Sequence, residues 1–160
     1  MAAYCLSDSA HTTRHYARLG CLHPANYAAL QQGLAEEGGR TTLYNAAVAD
    51  TAGTLACDAQ SIMGRRLDGS RTARVDCLRL DDVVERGTLL KMDVEGAEPQ
   101  VLRGATEPIR RCRPHMAITC YHHAFDLPDI VAELNRILPD ARLRLRKYSC
   151  YFYDTELYVE

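Results

Sequence analysis

The stretch Thr88-Leu89-Leu90-Lys91-Met92-Asp93-Val94-Glu95-Gly96-Ala97-Glu98 decides how this chain folds. Leu89, Leu90, Met92 and Val94 give its first seven residues an apolar run, as a central parallel strand covered on both faces should have. In an open α/β sheet, ligands bind beyond the carboxyl ends of the strands. Asp93 and Glu95 therefore stand at or just past such an end, facing a crevice. Gly96 permits the tight turn that must follow, and Ala97 lets backbones approach closely. Two carboxylates at this spot are costly unless they hold a cationic or hydroxyl-bearing ligand, or a metal. One acid alone would be read more simply as a cap on the next helix. The spacing D-x-E-G-x-E directly after a buried strand favours function.

Outward from this strand, helical and extended patterns alternate, which means an α/β fold with a largely parallel sheet. Downstream, residues 98–104 and a second short segment to 111 read as helices, and 115–121 as the next buried strand. Residues 127–138 are helical, with Ile130, Val131, Leu134, Ile137 and Leu138 inward. Residues 142–148 and 153–159 are two strands joined by too short a loop for a parallel crossover, so they pair antiparallel. Upstream, 74–80 alternates as a strand, and Asp81-Asp82 starts a turn or short helix. Residues 58–72 carry Gly64, Asp68, Gly69 and Ser70 and read as a loop, and 54–57 as a short extended piece. Residues 41–48 are β-rich. Residues 25–37 form a helix with Tyr27, Leu30 and Leu34 on one face, ended by Gly38-Gly39. Residues 12–19 have helical spacing, and 2–6 are a strand stub.

The composition agrees. The 160 residues fit one domain, 47% hydrophobic and 25% charged, with a net charge of -2 and no block of like charge. A nucleic-acid binder would show a basic patch or stripe. Arg142, Arg144 and Arg146 instead alternate with apolar residues, as the wet face of a strand does. The seven cysteines are odd in number and widely spaced, with no C-x-x-C, so reduced thiols in a cytoplasmic protein are expected. No stretch approaches the roughly 20 apolar residues of a membrane helix, and the first ten residues lack the basic and apolar regions of a signal peptide.

The string Leu89-Leu90-Lys91-Met92-Asp93-Val94-Glu95-Gly96-Ala97-Glu98, followed by Val101-Leu102-Arg103-Gly104-Ala105, closely resembles the signature of the FkbM-type methyltransferases. Leu80-Asp81-Asp82-Val83 is similar to the leucine-aspartate pair before that family's central strand. Asn45-Ala46-Ala47-Val48-Ala49-Asp50 with Gly53 resembles its third-strand segment, and His23-Pro24-Ala25-Asn26-Tyr27 the end of its second. Arg113-Pro114, Ile118-Thr119-Cys120-Tyr121-His122 and the hairpin from Tyr148 to Tyr158 resemble its fifth strand and closing strands. The likeness spans residues 12–160. It implies a class I, Rossmann-like methyltransferase: a mostly parallel sheet ending in an antiparallel hairpin strand, helices on both faces, and one domain over residues 1–160.

The resemblance also implies S-adenosylmethionine as cofactor and O-methylation of a small-molecule acceptor, a sugar or a secondary metabolite. It places Asp93 nearest the cofactor or acceptor, and Glu95, Glu98 and His122 on the acceptor hydroxyl. Asn45, Ala46 and Asp50 fall near the adenine and His23 near the ribose. In that family a glycine-rich loop after the first strand holds the cofactor. Here the equivalent stretch, Leu6-Ser7-Asp8-Ser9-Ala10-His11-Thr12, has no glycine, and His23 replaces the acid that usually binds the ribose. Either Ser7, Ser9 and Ala10 are small enough to replace the glycines, or the chain is an N-terminally truncated or degenerate copy with a weakened cofactor site. A degenerate copy would be a non-catalytic binding or interaction domain.

His122 reads as a general base or as a residue that orients the acceptor hydroxyl, set against a loop histidine that only bonds backbone. Asp93, Glu95 and His122 have the donor types for a divalent ion, but nothing in their spacing demands one, and no metal is expected. His11 and His15 share a helix face if that segment is helical, and a solvated face is the simpler reading. Tyr148, Tyr151, Phe152, Tyr153 and Tyr158 favour strands and are read as core or homodimer packing. No G-x-G-x-x-G or P-loop is present.

Overall fold

The computed structural model describes residues 2–8, 14–19, 24–34, 41–58, 72–150 and 154–160. In chain order the elements are β1 (Ala2–Asp8), β2 (Arg14–Leu19), α1 (Pro24–Leu34), β3 (Thr41–Tyr44), β4 (Ala47–Val48), β5 (Gly53–Asp58) and β6 (Thr72–Leu78). Then come α2 (Leu80–Val83), β7 (Leu89–Asp93), α3 (Glu98–Arg103), α4 (Thr106–Cys112), β8 (His115–Thr119), α5 (Asp126–Ile137), β9 (Leu143–Lys147) and β10 (Thr155–Val159). The main sheet has the order β3-β2-β1-β7-β8-β10-β9, and β4, β6 and β5 form a small second sheet. β2 runs parallel to β3 and β7 to β8, while β1 and β10 each run antiparallel to both neighbours. Five of the seven strands thus share one direction, giving a Rossmann-like α/β sheet. With right-handed crossovers, α1 between β2 and β3 lies on one face, and the helices following β7 and β8 lie on the other.

Most of the expected elements stand, including the antiparallel closing hairpin, whose register sets Leu157 opposite Leu145. The aligned arginines 142, 144 and 146 are exposed as expected. Two elements differ. Residues 14–19 form β2 rather than helix, because β1 and β3 flank the segment and satisfy its backbone on both edges. Residues 2–8 form a seven-residue strand rather than a stub, and it runs against its neighbours. Ala2 pairs with Asp93 and Leu6 with Leu89. The carboxyl end of β1 therefore lies at the amino end of β7, away from the crevice. The loop expected over 58–72 and the Gly38-Gly39 stop lie largely outside the described residues.

The core lies where α3, α4 and α5 cover one face of the sheet. Burial along β7 alternates: Leu90 and Met92 are sealed, while Leu89, Lys91 and Asp93 are half-buried on the other side. The near-continuous apolar run thus has one fully buried face and one partly open face. Val101 and Leu102 of α3, Ile109 of α4, Met116 and Ile118 of β8, and Ile130, Leu134 and Ile137 of α5 close this core. Each such side chain contributes about 1.5–3 kcal/mol by leaving water. No helix among the described residues is long and apolar enough to cross a membrane. Cys77, Cys112, Cys120 and Cys150 form no disulfide, and burial pushes the Cys120 thiol up to about 11. It therefore stays protonated at neutral pH, as a small core residue.

Candidate functional site

The site is built where β7 and β8 end side by side. Asp93 closes β7, and the chain then turns sharply. Val94 stays buried, Glu95 takes a left-handed conformation with φ 59, and Gly96 follows at φ 92. A glycine suits such backbone, but a glutamate there carries a cost of about 1–2 kcal/mol. A Cβ on Gly96 would also run into the His123 ring. The turn swings Glu95 outward, leaving its side chain 59% exposed, and aims the next acid inward at the start of α3.

That next acid, Glu98, is fully buried. Its Oε1 accepts hydrogen bonds from the Val94 N–H at 2.9 Å and the Thr119 hydroxyl at 2.9 Å, tying the ends of β7 and β8 together. His122 follows β8 and enters the space between the acids, its side chain 12% exposed. Its Nε2 lies 3.4 Å from Asp93 Oδ1 and 3.5 Å from Glu95 Oε2, and its Nδ1 lies 3.5 Å from Glu98 Oε1. Asp126 fixes the loop that carries His122. Its carboxylate accepts the His123 N–H at 2.7 Å and faces the His123 ring at 3.2 Å. The Tyr121 ring lies 4.5 Å from the His122 ring, and burial, with Asp93 and Glu95 nearby, holds its hydroxyl above the usual range.

The backbone cost at Glu95 is measurable. Glu95→Gly and Glu95→Ala both remove the carboxylate, but only alanine keeps a Cβ in the left-handed conformation. The glycine variant is expected to be more stable than the alanine variant by about 1 kcal/mol in urea unfolding. Equal stabilities would mean that the turn relaxes at no cost.

Of the residues singled out from sequence, Asp93, Glu95, Glu98 and His122 come together in this cluster. Asn45 is exposed just past the end of β3, and Ala46 is buried beside it. Asp50 is held elsewhere, paired with Arg103 at 3.0 Å, and Arg103 also reaches Glu133 at 3.0 Å. Ser9, Ala10 and His23 lie outside the described residues. Tyr148 is exposed and hydrogen-bonded to Tyr158 rather than packed in the core, and residues 151–153 are outside the described set. Thr119 was missed from sequence. Its signal is a hydroxyl at the end of the otherwise apolar run Met116-Ala117-Ile118. A groove of about 560 Å³ opens next to the cluster, between α3 and α5, lined by Gly96, Gln100, Arg103, His123, Phe125 and Asp129. It does not reach the four clustered residues, so the cluster and the groove are neighbours rather than one cavity.

The comparisons with known proteins bear on the same segments. The family model described as the methyltransferase FkbM domain matches residues 10–148. The crystal structure of methyltransferase FkbM from Methylobacillus flagellatus KT superposes with a TM-score of 0.70 at 26% identity, over 86% of this chain. That alignment covers 34% of the other chain, so this chain spans about a third of that protein's length. No curated protein matches. With the strand–turn–acid motif, the following histidine and the α/β sheet all in place, the chain belongs to the FkbM methyltransferase domain family.

Proposed function

We propose that the chain is an S-adenosylmethionine-dependent methyltransferase that methylates a hydroxyl of a small-molecule acceptor, a sugar or a secondary metabolite. The observation that carries this reading is His122 held among three carboxylates at the carboxyl edge of the sheet. The donor set fits the cofactor's cationic half: Asp93 keeps 40% of its side chain exposed and offers carboxylate oxygens to a sulfonium or ammonium group. When bound, the cofactor supplies an electrophilic methyl group for in-line displacement. The rest is positioning and proton handling. Glu95, at the rim, takes the proton of the acceptor hydroxyl. His122 holds Glu95 and Asp93 in place through Nε2 and can share that proton. Glu98, bonded to Val94 and Thr119, gives the imidazole a fixed floor.

One observation favours a second reading, a methyltransferase-like binding domain with no cofactor loop of its own. β1 reaches the crevice with Ala2, not with its carboxyl end, so a loop following β1 starts from the far edge of the sheet. Calorimetric titration of the purified chain with S-adenosylmethionine and S-adenosylhomocysteine separates the two readings. Binding is expected, with Asp93→Ala weakening it at least about tenfold, the equivalent of about 1.4 kcal/mol. No heat of binding at millimolar ligand would leave the binding-domain reading standing, and an unchanged Asp93→Ala variant would remove Asp93 from the cofactor.

A further inference from the structure

The carboxylate cluster leaves two buried polar atoms without a hydrogen-bond partner among the described residues. Glu98 is fully buried, and its Oε2 has no hydrogen-bond partner among the described residues. The buried Nδ1 of His122 also has none, since it approaches Glu98 without hydrogen-bond geometry. No lysine or arginine among the described residues pairs with Asp93 or Glu98. A buried acid with an idle oxygen is costly unless something further binds it.

We propose that Asp93, Glu98 and His122 form a binding site for a divalent cation of the Mn2+ type. Each residue offers one ligand atom, and these atoms lie within 4.8 Å of one another. Neighbouring ligands of a six-coordinate ion with bonds of about 2.1 Å stand about 3 Å apart, so the ligand atoms must draw together to close onto an ion. Two carboxylates and one imidazole form a hard donor set with one borderline nitrogen. This set suits Mn2+ and its first-row neighbours better than Ca2+, which prefers six to eight oxygens. From sequence, Glu95 is the natural third ligand. The structure substitutes Glu98, because the left-handed backbone at Glu95 turns that side chain toward solvent while Glu98 points inward. Three protein ligands leave positions open for water and for an acceptor oxygen, whose proton the ion would loosen for Glu95. That use of the ion rests on the methyl-transfer reading, but its binding does not.

The test is a Mn2+ titration of the full chain after chelator treatment, followed by electron paramagnetic resonance, in which the free hydrated ion gives the signal and bound ion does not. The expected result is one Mn2+ bound per chain. Glu98→Gln and His122→Ala should each weaken binding at least about tenfold, with circular dichroism unchanged, and Glu133→Gln on α5 should leave it intact. If Glu98→Gln fails to fold, Asp93→Asn reads the same ligand set. Undiminished free signal at millimolar Mn2+, or binding indifferent to the ligand variants, would overturn the proposal. The cofactor titration is run separately without metal. Cofactor binding without Mn2+ binding removes only the ion, and Mn2+ binding without cofactor binding removes only the methyl-transfer reading.

Discussion

His122→Ala is expected to lower methyl transfer by about 10²–10⁴-fold, the range in which a positioned proton-transfer group operates. The measurement is release of S-adenosylhomocysteine in the presence of a panel of monosaccharide and alcohol acceptors. Among the described residues, His122 stands against Asp93, Glu95 and Glu98 together, at 3.4–3.5 Å. Removing it leaves three carboxylates facing one another across a partly buried space. With nothing between them to hold their positions they will move apart, which spoils both acceptor alignment and proton acceptance. On the methyl-transfer reading the loss should fall mainly on kcat, because the groove between α3 and α5, the neighbouring space for an acceptor, does not include His122. The fold should survive, since the core contacts of β7, β8 and α5 run through Met92, Ile118, Ile130 and Leu134, none of which depends on the imidazole. A variant with unchanged kcat would remove His122 from the chemistry and reduce it to a loop residue.

What the sequence shows of this site, and what it hides, follows from how local each feature is. Asp93, Glu95 and His122 could be placed because each stands at or just past the end of a strand with an apolar run, and strand ends in such sheets face the ligand. The arginines of the closing hairpin were legible for the same reason, a period of two along one face. The role of Glu98 was less accessible. Its spacing from Asp93 marks it as part of the motif, but only the paired left-handed residues Glu95 and Gly96 turn it back onto the Val94 N–H and Thr119. That geometry is a property of the turn, and its hydrogen-bond partner Thr119 is supplied from 21 residues away. Asp50 illustrates the same limit, since its partner Arg103 lies 53 residues along the chain. The segment 14–19 misled for the opposite reason. Its local spacing suits a helix, but two flanking strands satisfy its backbone as a strand, and no local pattern reports neighbours in space.

Gly104→Val is expected to destabilise the fold by about 3 kcal/mol, and Gly104→Ala by somewhat less, in urea or thermal unfolding. The glycine ends α3 with ordinary negative φ, so its backbone conformation requires no glycine. The space does. A Cβ there would overlap the Ala49 carbonyl oxygen and stand 2.9 Å from the Ala49 carbonyl carbon and 3.1 Å from Asp50 Cα. All three neighbours are backbone, which cannot swing aside as a side chain can. Ala49 is itself pinned by its N–H to the Leu78 carbonyl, and Gly104 accepts the Asp81 N–H through its own carbonyl. A displaced Ala49 would thus pull on the small sheet at β6 and on α2 at once. It would also disturb Asp50, whose bond to Arg103 helps tie α3 to Glu133 of α5. Gly33 in α1 provides the control. Nothing lies within 4 Å of a Cβ built there, so Gly33→Ala should stabilise by about 0.5–1 kcal/mol through helix propensity. Opposite signs at the two positions would show that Gly104 provides the space for a backbone crossing, holding the helix that begins with Glu98 against the sheet. A neutral Gly104→Ala would mean that the loop at Ala49 yields, and that the carboxylate cluster at the other end of α3 is positioned by the β7 turn alone.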